Sequence, residues 1–171
     1  MKPTLLVAIG VLATFFGPIA VAEQIDTHKA YLPKDLKWAA GPAALPAGAE
    51  AVVLYGDPQK PAMFAMRVKM PVGYRVPPHM HPQPELITVI SGAVGLGLGQ
   101  AADHATVEAL PAGSFSSMPK GVVHYVFVTE DAIIQINSTG PWDIEYVNPK
   151  DDPRLNVAPQ TPSSTLSTKR P

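Results

Sequence analysis

The sequence predicts a single all-β domain, folded as a sandwich or a barrel. The apolar runs between residues 40 and 148 are short and evenly spaced, and none of them keeps a 3.6-residue helical period. The chain also carries 20 prolines and 13 glycines among its 171 residues, a composition that favours short strands and turns over long helices. Because two cores of ordinary size need a longer chain, we expect one domain.

The composition excludes several classes of protein. Hydrophobic residues make up 46% of the chain, which is enough to bury a core, so a disordered protein is excluded. Charged residues make up 16% and the formal net charge is −1, which argues against a nucleic acid or an anionic membrane as partner. The sequence has no cysteine, so it forms no disulfide, thiolate metal site or cysteine nucleophile.

Residues 1–22 have the pattern of a secretory signal peptide. Lys2 supplies a positive charge, the run from Leu5 to Phe16 is mostly apolar, and Ala20-Val21-Ala22 matches a cleavage site. The apolar run is shorter than the roughly 20 residues that span a bilayer, which disfavours the alternative of an uncleaved membrane anchor. We therefore expect a periplasmic or secreted protein that begins at Glu23 and has no membrane partner after cleavage.

The mature chain divides into three predicted parts. Residues 23–50 are mixed in character and contain prolines, and they are expected to form an N-terminal arm and a loop. Residues 51–148 contain the regularly spaced apolar runs and form the predicted β domain. Residues 149–171 are rich in proline, serine and threonine, which predicts an extended or disordered tail without a chemical role.

The predicted strands of residues 51–148 are separated by turn signals. The stretch from Phe64 to Met70 alternates between the two faces with a period of two, as a half-buried strand does. The other predicted strands are Ala51–Tyr55, Leu86–Ile90, Ala93–Leu98, Phe115–Met118, Val122–Val128 and Ala132–Asn137. Turns are expected at Ser91-Gly92, Pro111-Ala112-Gly113, Pro119-Lys120-Gly121 and Thr129-Glu130-Asp131.

Three of the five histidines, together with one glutamate, form a candidate metal site. His79 and His81 stand at i and i+2, so on a strand both imidazoles project from one face. Glu85 lies four residues after His81, and His124 belongs to the apolar run Val122–Val128. Neutral imidazole nitrogens and a carboxylate oxygen are ligands that iron, manganese, nickel, copper and zinc accept.

Each of these residues also has a purely structural interpretation. A His-x-His pair is common, a single glutamate is most often a solvated carboxylate, and a histidine at a barrel mouth can be satisfied by its neighbours. The remaining histidines, His28 and His104, lie in polar segments and are expected to be exposed. The spacing of the four candidates favours the metal site over these ordinary explanations.

That spacing, with the nearby glycines and prolines, resembles the two motifs of the cupin superfamily. The first motif, G-x5-H-x-H-x3-E-x6-G, is reproduced without a gap by Gly73, His79, His81, Glu85 and Gly92. The second motif, G-x5-P-x-G-x2-H-x3-N, is matched by Gly113, Pro119, Gly121 and His124, and Val128 replaces its final asparagine. Over residues 51–148 the chain resembles a small single-domain secreted bacterial cupin, which implies a jelly-roll or double-stranded β-helix barrel.

The resemblance also implies one divalent transition metal inside the barrel. By the motifs, its ligands are His79, His81, Glu85 and His124. The replacement at position 128 removes no ligand but makes one neighbour of the pocket apolar. An apolar interior is expected from the residues that share the ligand face of the same strands, which are Ile87, Val89, Val126 and Val128.

Two hypotheses of function follow from the predicted site. The first is an exported metal-dependent enzyme acting on a small organic substrate that chelates the metal. Dioxygenase chemistry on an enolic or phenolic compound is the first expectation from the resemblance, and lyase or isomerase chemistry is the next. Glu85 is then either a permanent ligand or a catalytic base that leaves the metal. The second hypothesis is a non-catalytic metal-dependent protein that binds or senses a small molecule, and a homodimer is compatible with both.

Overall fold

The computed structural model describes residues 28–105, 107 and 109–155. The predicted signal peptide, residues 1–22, lies outside this part of the chain, as do residues 156–171 of the predicted tail. By its internal contacts the chain divides into two units, Met1–Ala30 and Tyr31–Pro171. The strands and turns of the described residues belong to the second unit.

The described residues form an all-β fold, as predicted. They contain nine strands in antiparallel pairs and three short 3-10 turns, and this part of the chain has no α-helix. None of its segments is a helix long and apolar enough to cross a membrane. The strands are β1 (Ala39–Ala40), β2 (Glu50–Tyr55), β3 (Met63–Met70), β4 (Arg75–Met80), β5 (Glu85–Leu98), β6 (Ala109–Pro111), β7 (Phe115–Met118), β8 (His124–Thr139) and β9 (Glu145–Tyr146). The turns are Pro33–Asp35, Pro149–Asp151 and Pro153–Leu155.

The sheet curls around its two longest strands, β5 and β8. Strand β8 pairs with β3, β4 and β5, and β5 pairs in addition with β6 and β7. Apart from β5, β6 and β7, the strands follow the order β1-β2-β3-β8-β4-β9 across the sheet. Each long strand pairs with different strands along its length, so the sheet curves and encloses an interior. Several strands line this interior.

Burial along β3 follows the predicted alternation. Phe64, Met66, Val68 and Met70 point inward and are at most 2% exposed. Burying each such side chain contributes roughly 1.5–3 kcal/mol to the free energy of folding. Further large side chains of the core come from β5, from β8 and from the segment before β9: Ile87, Val89, Val128, Ile134, Ile136, Trp142 and Ile144.

Two of the predicted turns are wrong, because the chain bends there without leaving the sheet. Ser91-Gly92 lies inside β5 and Thr129-Glu130-Asp131 lies inside β8, so each predicted pair of strands is one continuous strand. The ladder between β5 and β8 shifts register near Ser91 and continues on both sides. Gly92 has a φ of +69°, and a Cβ there would overlap the Asp131 carbonyl. Glycine is therefore required where the two strands bend against each other.

Strand β4 is not apparent from local sequence patterns, because it contains Pro77 and Pro78. Proline lacks a backbone N–H and is normally excluded from a regular ladder. Strand β4 pairs with β8 at Val76 and again at His79, and the ladder is irregular between these residues. The two prolines therefore lie in the irregular part of the ladder. Beyond it, His79 is paired with His124.

The loop of residues 41–49, here called the mouth loop, connects β1 to β2 and lies over the barrel interior. The hydroxyl of Tyr74 donates to the carbonyl of Pro46 at 2.5 Å, and that of Tyr146 donates to the carbonyl of Ala44 at 2.7 Å. Burial raises the pKa of both hydroxyls, so both remain protonated donors. Between these two contacts, Leu45 packs against the core and lines the interior cavity.

His104 is half-buried, which contradicts the exposed position expected from its polar neighbours. Its ring packs edge-on against Phe127 and Tyr125, with ring centroids 4.8 and 5.6 Å away. Gly95 and Gly97 of β5 leave room for these two aromatic rings, since a Cβ at either glycine would overlap one of them. The histidine therefore belongs to an aromatic cluster on β8 that the glycines of β5 permit.

Candidate metal centre

Three histidines converge inside the barrel. His79 lies near the end of β4, His81 follows β4 directly, and His124 begins β8. One ring nitrogen of each lies within 4.8 Å of those of the other two. All three side chains are buried, with at most 5% of their surface exposed. The structure therefore brings together the three predicted histidine ligands, and neither His28 nor His104 belongs to this cluster.

The local backbone fixes the orientation and tautomer of each ring. In each of the three histidines, Nδ1 lies within 3.0 Å of a backbone carbonyl oxygen, which belongs to Pro77, Asp143 or Val122. A carbonyl oxygen can only accept a hydrogen bond, so Nδ1 carries the proton in the neutral rings. Nε2 is then the nitrogen with the lone pair, and a backbone carbonyl holding Nδ1–H is the usual support of a metal-binding imidazole.

Glu85, the fourth predicted ligand, lies beside the histidine cluster at the start of β5. One carboxylate oxygen, Oε2, is 3.4 Å from Nε2 of His81. The other oxygen, Oε1, accepts a hydrogen bond from the indole N–H of Trp142. The residue is only 2% exposed. The carboxylate is thus held with one oxygen toward His81 and the other toward Trp142.

Burial shifts the pKa values of these groups toward their neutral forms. It lowers the pKa of His79 to about 3, and the neighbouring His124 and His81 act in the same direction. It also lowers the pKa of His81 and that of His124. It raises the pKa of Glu85, against the opposing effect of the hydrogen bond from Trp142. The three imidazoles are therefore neutral near pH 7, the state that metal binding requires.

A small cavity lies between the four side chains. Its volume is about 40 Å³, which admits only a few atoms. Apart from the four candidate ligands and Trp142, its lining is entirely apolar: Leu45, Val68, Met70, Val76, Ile87, Val126, Ile134, Ile136 and Ile144. Of the predicted lining residues, Ile87 and Val126 face the cavity, whereas Val89 and Val128 are buried in the core beyond its lining.

Two residues of the site have no signal in the sequence motifs. Trp142 stacks on His81, with ring centroids 5.5 Å apart and 24° between the ring planes, and it stands 57 residues from Glu85 along the chain. Leu45 reaches the cavity from the mouth loop, a segment expected to lie outside the β domain. Both contacts depend on the path of the chain through the whole barrel, so no local pattern indicates them.

The donor set fits a divalent transition metal. Three neutral imidazoles and a carboxylate are ligands that metals from manganese to zinc accept. The backbone carbonyls already orient the rings with Nε2 unprotonated, so binding requires no change of tautomer. The three buried histidines can hold a metal ion, with the carboxylate of Glu85 available as a further ligand.

A family comparison places this chain among known proteins. The family model described as "Domain of unknown function (DUF4437)" matches residues 33–152. The chain belongs to the DUF4437 family. DUF4437 is a cupin-like family, so the resemblance inferred from the two motifs is confirmed. Among curated proteins, none matches this DUF4437 chain.

Solved structures similar to this DUF4437 protein include several cupins. The polyketide cyclase RemF from Streptomyces resistomycificus has a TM-score of 0.58 at 21% identity, over 74% of this chain and 90% of that chain. A candidate acetylacetone dioxygenase from Methylibium petroleiphilum has a TM-score of 0.54 at 18% identity, over 78% and 88%. An RmlC-like cupin from Shewanella frigidimarina has a TM-score of 0.52 at 15% identity, over 67% and 94%. At these identities the similarity shows the fold alone, which is the double-stranded β-helix of the cupins.

Proposed function

We propose that this DUF4437 protein is an exported metal-dependent enzyme acting on a small organic substrate that chelates the metal. One divalent transition metal per chain is bound by His79, His81, His124 and Glu85. The observation that carries the proposal is the shared orientation of the three rings: each holds Nδ1 against a carbonyl, which leaves three Nε2 lone pairs within one small cavity. Nitrogen lone pairs in an apolar interior are unfavourable unless they bind a cation or accept a hydrogen bond.

The identity of the bound metal depends on which metals are available in the compartment as much as on the protein. Iron, manganese, nickel, copper and zinc all accept nitrogen and carboxylate ligands, and their relative affinities for one site follow a general order that the protein changes little. The ligand set supports any of these five metals, and the metal loaded in the cell is the one that the compartment offers.

The reaction would take place between the bound metal and the apolar wall of the cavity. When bound, the metal would supply a Lewis-acidic centre with open positions for the oxygen atoms of a chelating substrate or for dioxygen. Aliphatic side chains around the site exclude water. Glu85 is the one carboxylate in the lining, with Oε2 on the side of His81. It would either remain a ligand throughout or leave the metal and accept a proton from the substrate.

Oxidative cleavage of an enolic or phenolic compound is the reaction class that we propose first, and lyase or isomerase chemistry is second. The similar solved structures include a candidate acetylacetone dioxygenase and a polyketide cyclase. Both assignments belong to those proteins, and they support the proposal only by showing which chemistries this barrel accommodates.

A non-catalytic metal-dependent protein that binds or senses a small molecule is the alternative, and the size of the cavity bears equally on both hypotheses. With the mouth loop in place, about 40 Å³ leaves room for a metal and a few further atoms, but not for a whole organic substrate. On either hypothesis we expect the mouth loop to move when the small molecule enters, so turnover of the bound compound, rather than cavity size, separates the two.

Metal analysis of the native, untagged protein tests the proposed site. We expect one divalent transition metal per chain, and its loss when His81 is replaced by alanine. Oxygen uptake with catechol- or diketone-like compounds then separates the two functions: turnover supports the enzyme, and tight binding of the compound without turnover supports the alternative. A native protein without stoichiometric metal would contradict both.

Export remains a proposal that rests on residues 1–22. The positive charge, apolar run and A-x-A sequence support it. Mass spectrometry of the protein recovered from the periplasm or medium is expected to find Glu23 at the N-terminus. Retention of residues 5–16 in the mature chain would show that the segment is not a cleaved signal.

A further inference from the structure

We propose that Trp142 is a positioning residue that fixes the carboxylate of Glu85 at the metal centre. The proposal deepens the metal-dependent function above and rests on it. In this arrangement the indole N–H holds Oε1, so that Oε2 is the oxygen presented to His81 and to the metal. Trp142 lies outside both cupin motifs of the sequence, 57 residues from the glutamate that it contacts.

Trp142 contacts two of the four proposed ligands at once. Its indole N–H donates to Glu85 Oε1, and its ring stacks on that of His81 at a centroid distance of 5.5 Å. Trp142 is 4% exposed and Glu85 is 2% exposed, so water does not compete for this hydrogen bond. A hydrogen bond in such an environment holds its acceptor more firmly than one at the surface.

The backbone around Trp142 holds the indole in place. The amide of Trp142 donates to the carbonyl of Pro58 at 2.7 Å, and the amide of Gly140 donates to that of Ala62 at 3.0 Å. A Cβ on Gly140 would overlap the carbonyls of Pro58 and Lys60, so glycine is needed for this close approach. The segment before β9 is thus anchored to the loop between β2 and β3, and the indole is anchored with it.

The next residue orients a second ligand. The carbonyl of Asp143 accepts the hydrogen bond from Nδ1 of His81 at 2.7 Å. The carboxylate of Asp143 pairs with Arg154 at 2.6 Å and accepts from the amide of Ile144 at 2.8 Å. The dipeptide Trp142-Asp143 therefore fixes the orientation of both Glu85 and His81 from one short segment.

The hydrogen bond from the indole determines which carboxylate oxygen of Glu85 is available to bind the metal. An indole N–H can only donate, so it holds Oε1 as an acceptor and lowers the electron density available there for a metal. Oε2 is left as the ligand oxygen, and Glu85 binds through one oxygen. Without the N–H the carboxylate is free to rotate, either to bind through both oxygens or to leave the site. Groups that orient a metal ligand in this way typically change metal affinity by 10–100-fold.

Cobalt(II) is a suitable probe, because its visible absorption reports the number and arrangement of its ligands. We would measure affinity by competition with a chromophoric chelator, together with the spectrum, for the wild type, Trp142→Phe and Trp38→Phe. Phenylalanine keeps a ring against His81 but removes the N–H. We expect Trp142→Phe to bind cobalt about 10–100-fold more weakly with an altered spectrum. Trp38→Phe is the matched control, because Trp38 lies away from the site near Lys69, and it should match the wild type.

A second measurement needs neither metal nor the phenylalanine variant. The sequence has two tryptophans, so a ¹⁵N-labelled sample gives two indole N–H resonances. Glu85→Gln replaces one oxygen of the carboxyl group with an amide NH₂, which changes the acceptor of the indole N–H. We therefore expect the Trp142 indole proton resonance to shift while that of Trp38 stays in place. This experiment remains available if Trp142→Phe does not fold.

The outcomes separate the two proposals. A wild type that binds no cobalt overturns the proposed function, and the indole resonances still test the contact between Trp142 and Glu85. A wild type that binds cobalt, with a Trp142→Phe variant of equal affinity and unchanged spectrum, overturns the positioning role and leaves the metal site standing. An unmoved Trp142 resonance in Glu85→Gln also overturns the positioning role.

Discussion

His81 is the residue through which the histidine cluster, the carboxylate and the indole are connected. Its Nε2 lies 3.4 Å from Glu85, and its ring stacks on Trp142. A metal that binds only the folded state stabilises it by about 4 kcal/mol when free metal exceeds Kd 1,000-fold. We expect His81→Ala to lose most of this stabilisation, measured as the difference in melting temperature with and without metal.

The control for that prediction is His104→Ala. His104 packs against Tyr125 and Phe127 away from the cluster, so its removal should lower the melting temperature equally with and without metal. The metal-dependent difference should therefore remain as large as in the wild type. A His81→Ala protein that keeps the full difference would show that His81 is not a ligand.

At the residue scale, the sequence predicts the grouping of His79, His81, Glu85 and His124. Their spacing matches the two cupin motifs, and the fold brings the residues of these motifs to one place. The structure groups the three histidines and places Glu85 beside His81, and the role of all four as metal ligands stays a prediction. Trp142 and Leu45 could not be predicted, because each meets the site through a contact between distant parts of the chain. The exposed position expected for His104 is wrong for a similar reason, because its neighbours in sequence are polar whereas two aromatic rings of β8 pack against it.

Among the elements, the mouth loop supplies Leu45 to the wall of the cavity, and we expect movement of this loop to govern access. Its two hydrogen bonds, from Tyr74 and Tyr146, hold Leu45 in the cavity wall. Each such bond contributes about 1 kcal/mol, so Tyr74→Phe and Tyr146→Phe should each raise the open population about fivefold. We expect azide to bind the cobalt-loaded double variant correspondingly faster, as followed by stopped-flow absorbance.

Tyr55→Phe is the matched control, because Tyr55 on β2 is 56% exposed and should leave the rate of azide binding unchanged. Equal rates in the wild type and the double variant would mean that azide reaches the metal by a route that the mouth loop does not cover. A small ligand would then need no loop movement, and the size limit set by Leu45 would apply only to larger compounds.

Individual strands are predictable where local pattern and pairing agree. Strand β3 shows the predicted alternation, and β7 has the predicted bounds. The bends in β5 and β8 carry ordinary turn residues, and only the pairing of these strands across their whole length keeps them in one sheet. Strand β4 is the opposite case. Its two prolines argue against a strand, but its pairing with β8 requires few of the backbone N–H groups that proline lacks.

For the whole molecule, the fold class follows from many short apolar runs together with two motifs in the correct order. The absence of cysteine excludes disulfides, so stability must come from packing and, on our proposal, from the metal. We expect a chelator to lower the melting temperature of the metal-loaded wild type and to leave that of His81→Ala nearly unchanged. Calorimetry before and after dialysis against the chelator measures this. If chelation removes bound metal without moving the transition, the site is not coupled to folding.

Acid should destabilise the metal-free molecule through the same histidines. In the unfolded chain they titrate near pH 6.5, whereas burial lowers their pKa values in the folded state, that of His79 to about 3. As the pH falls below 6.5, the unfolded chain takes up protons that the folded protein does not. The free energy of unfolding then decreases by up to about 1.4 kcal/mol per pH unit for each histidine. Glu85 acts in the opposite direction, because its raised pKa lets the folded state hold a proton above pH 4.5, but it is one group against three.

Urea denaturation of the metal-free protein at several values between about pH 7 and pH 5 measures this slope. We expect the wild type to lose stability steadily over this range, and His79→Gln, which has one histidine fewer in the cluster, to show a shallower slope. The metal-loaded protein should lose stability at least as steeply, because a Glu85 bound to metal no longer holds the proton that opposes the effect of the histidines in the metal-free folded state. A metal-free wild type whose stability is flat from pH 7 to pH 5 would show that the three histidines are not held neutral by burial.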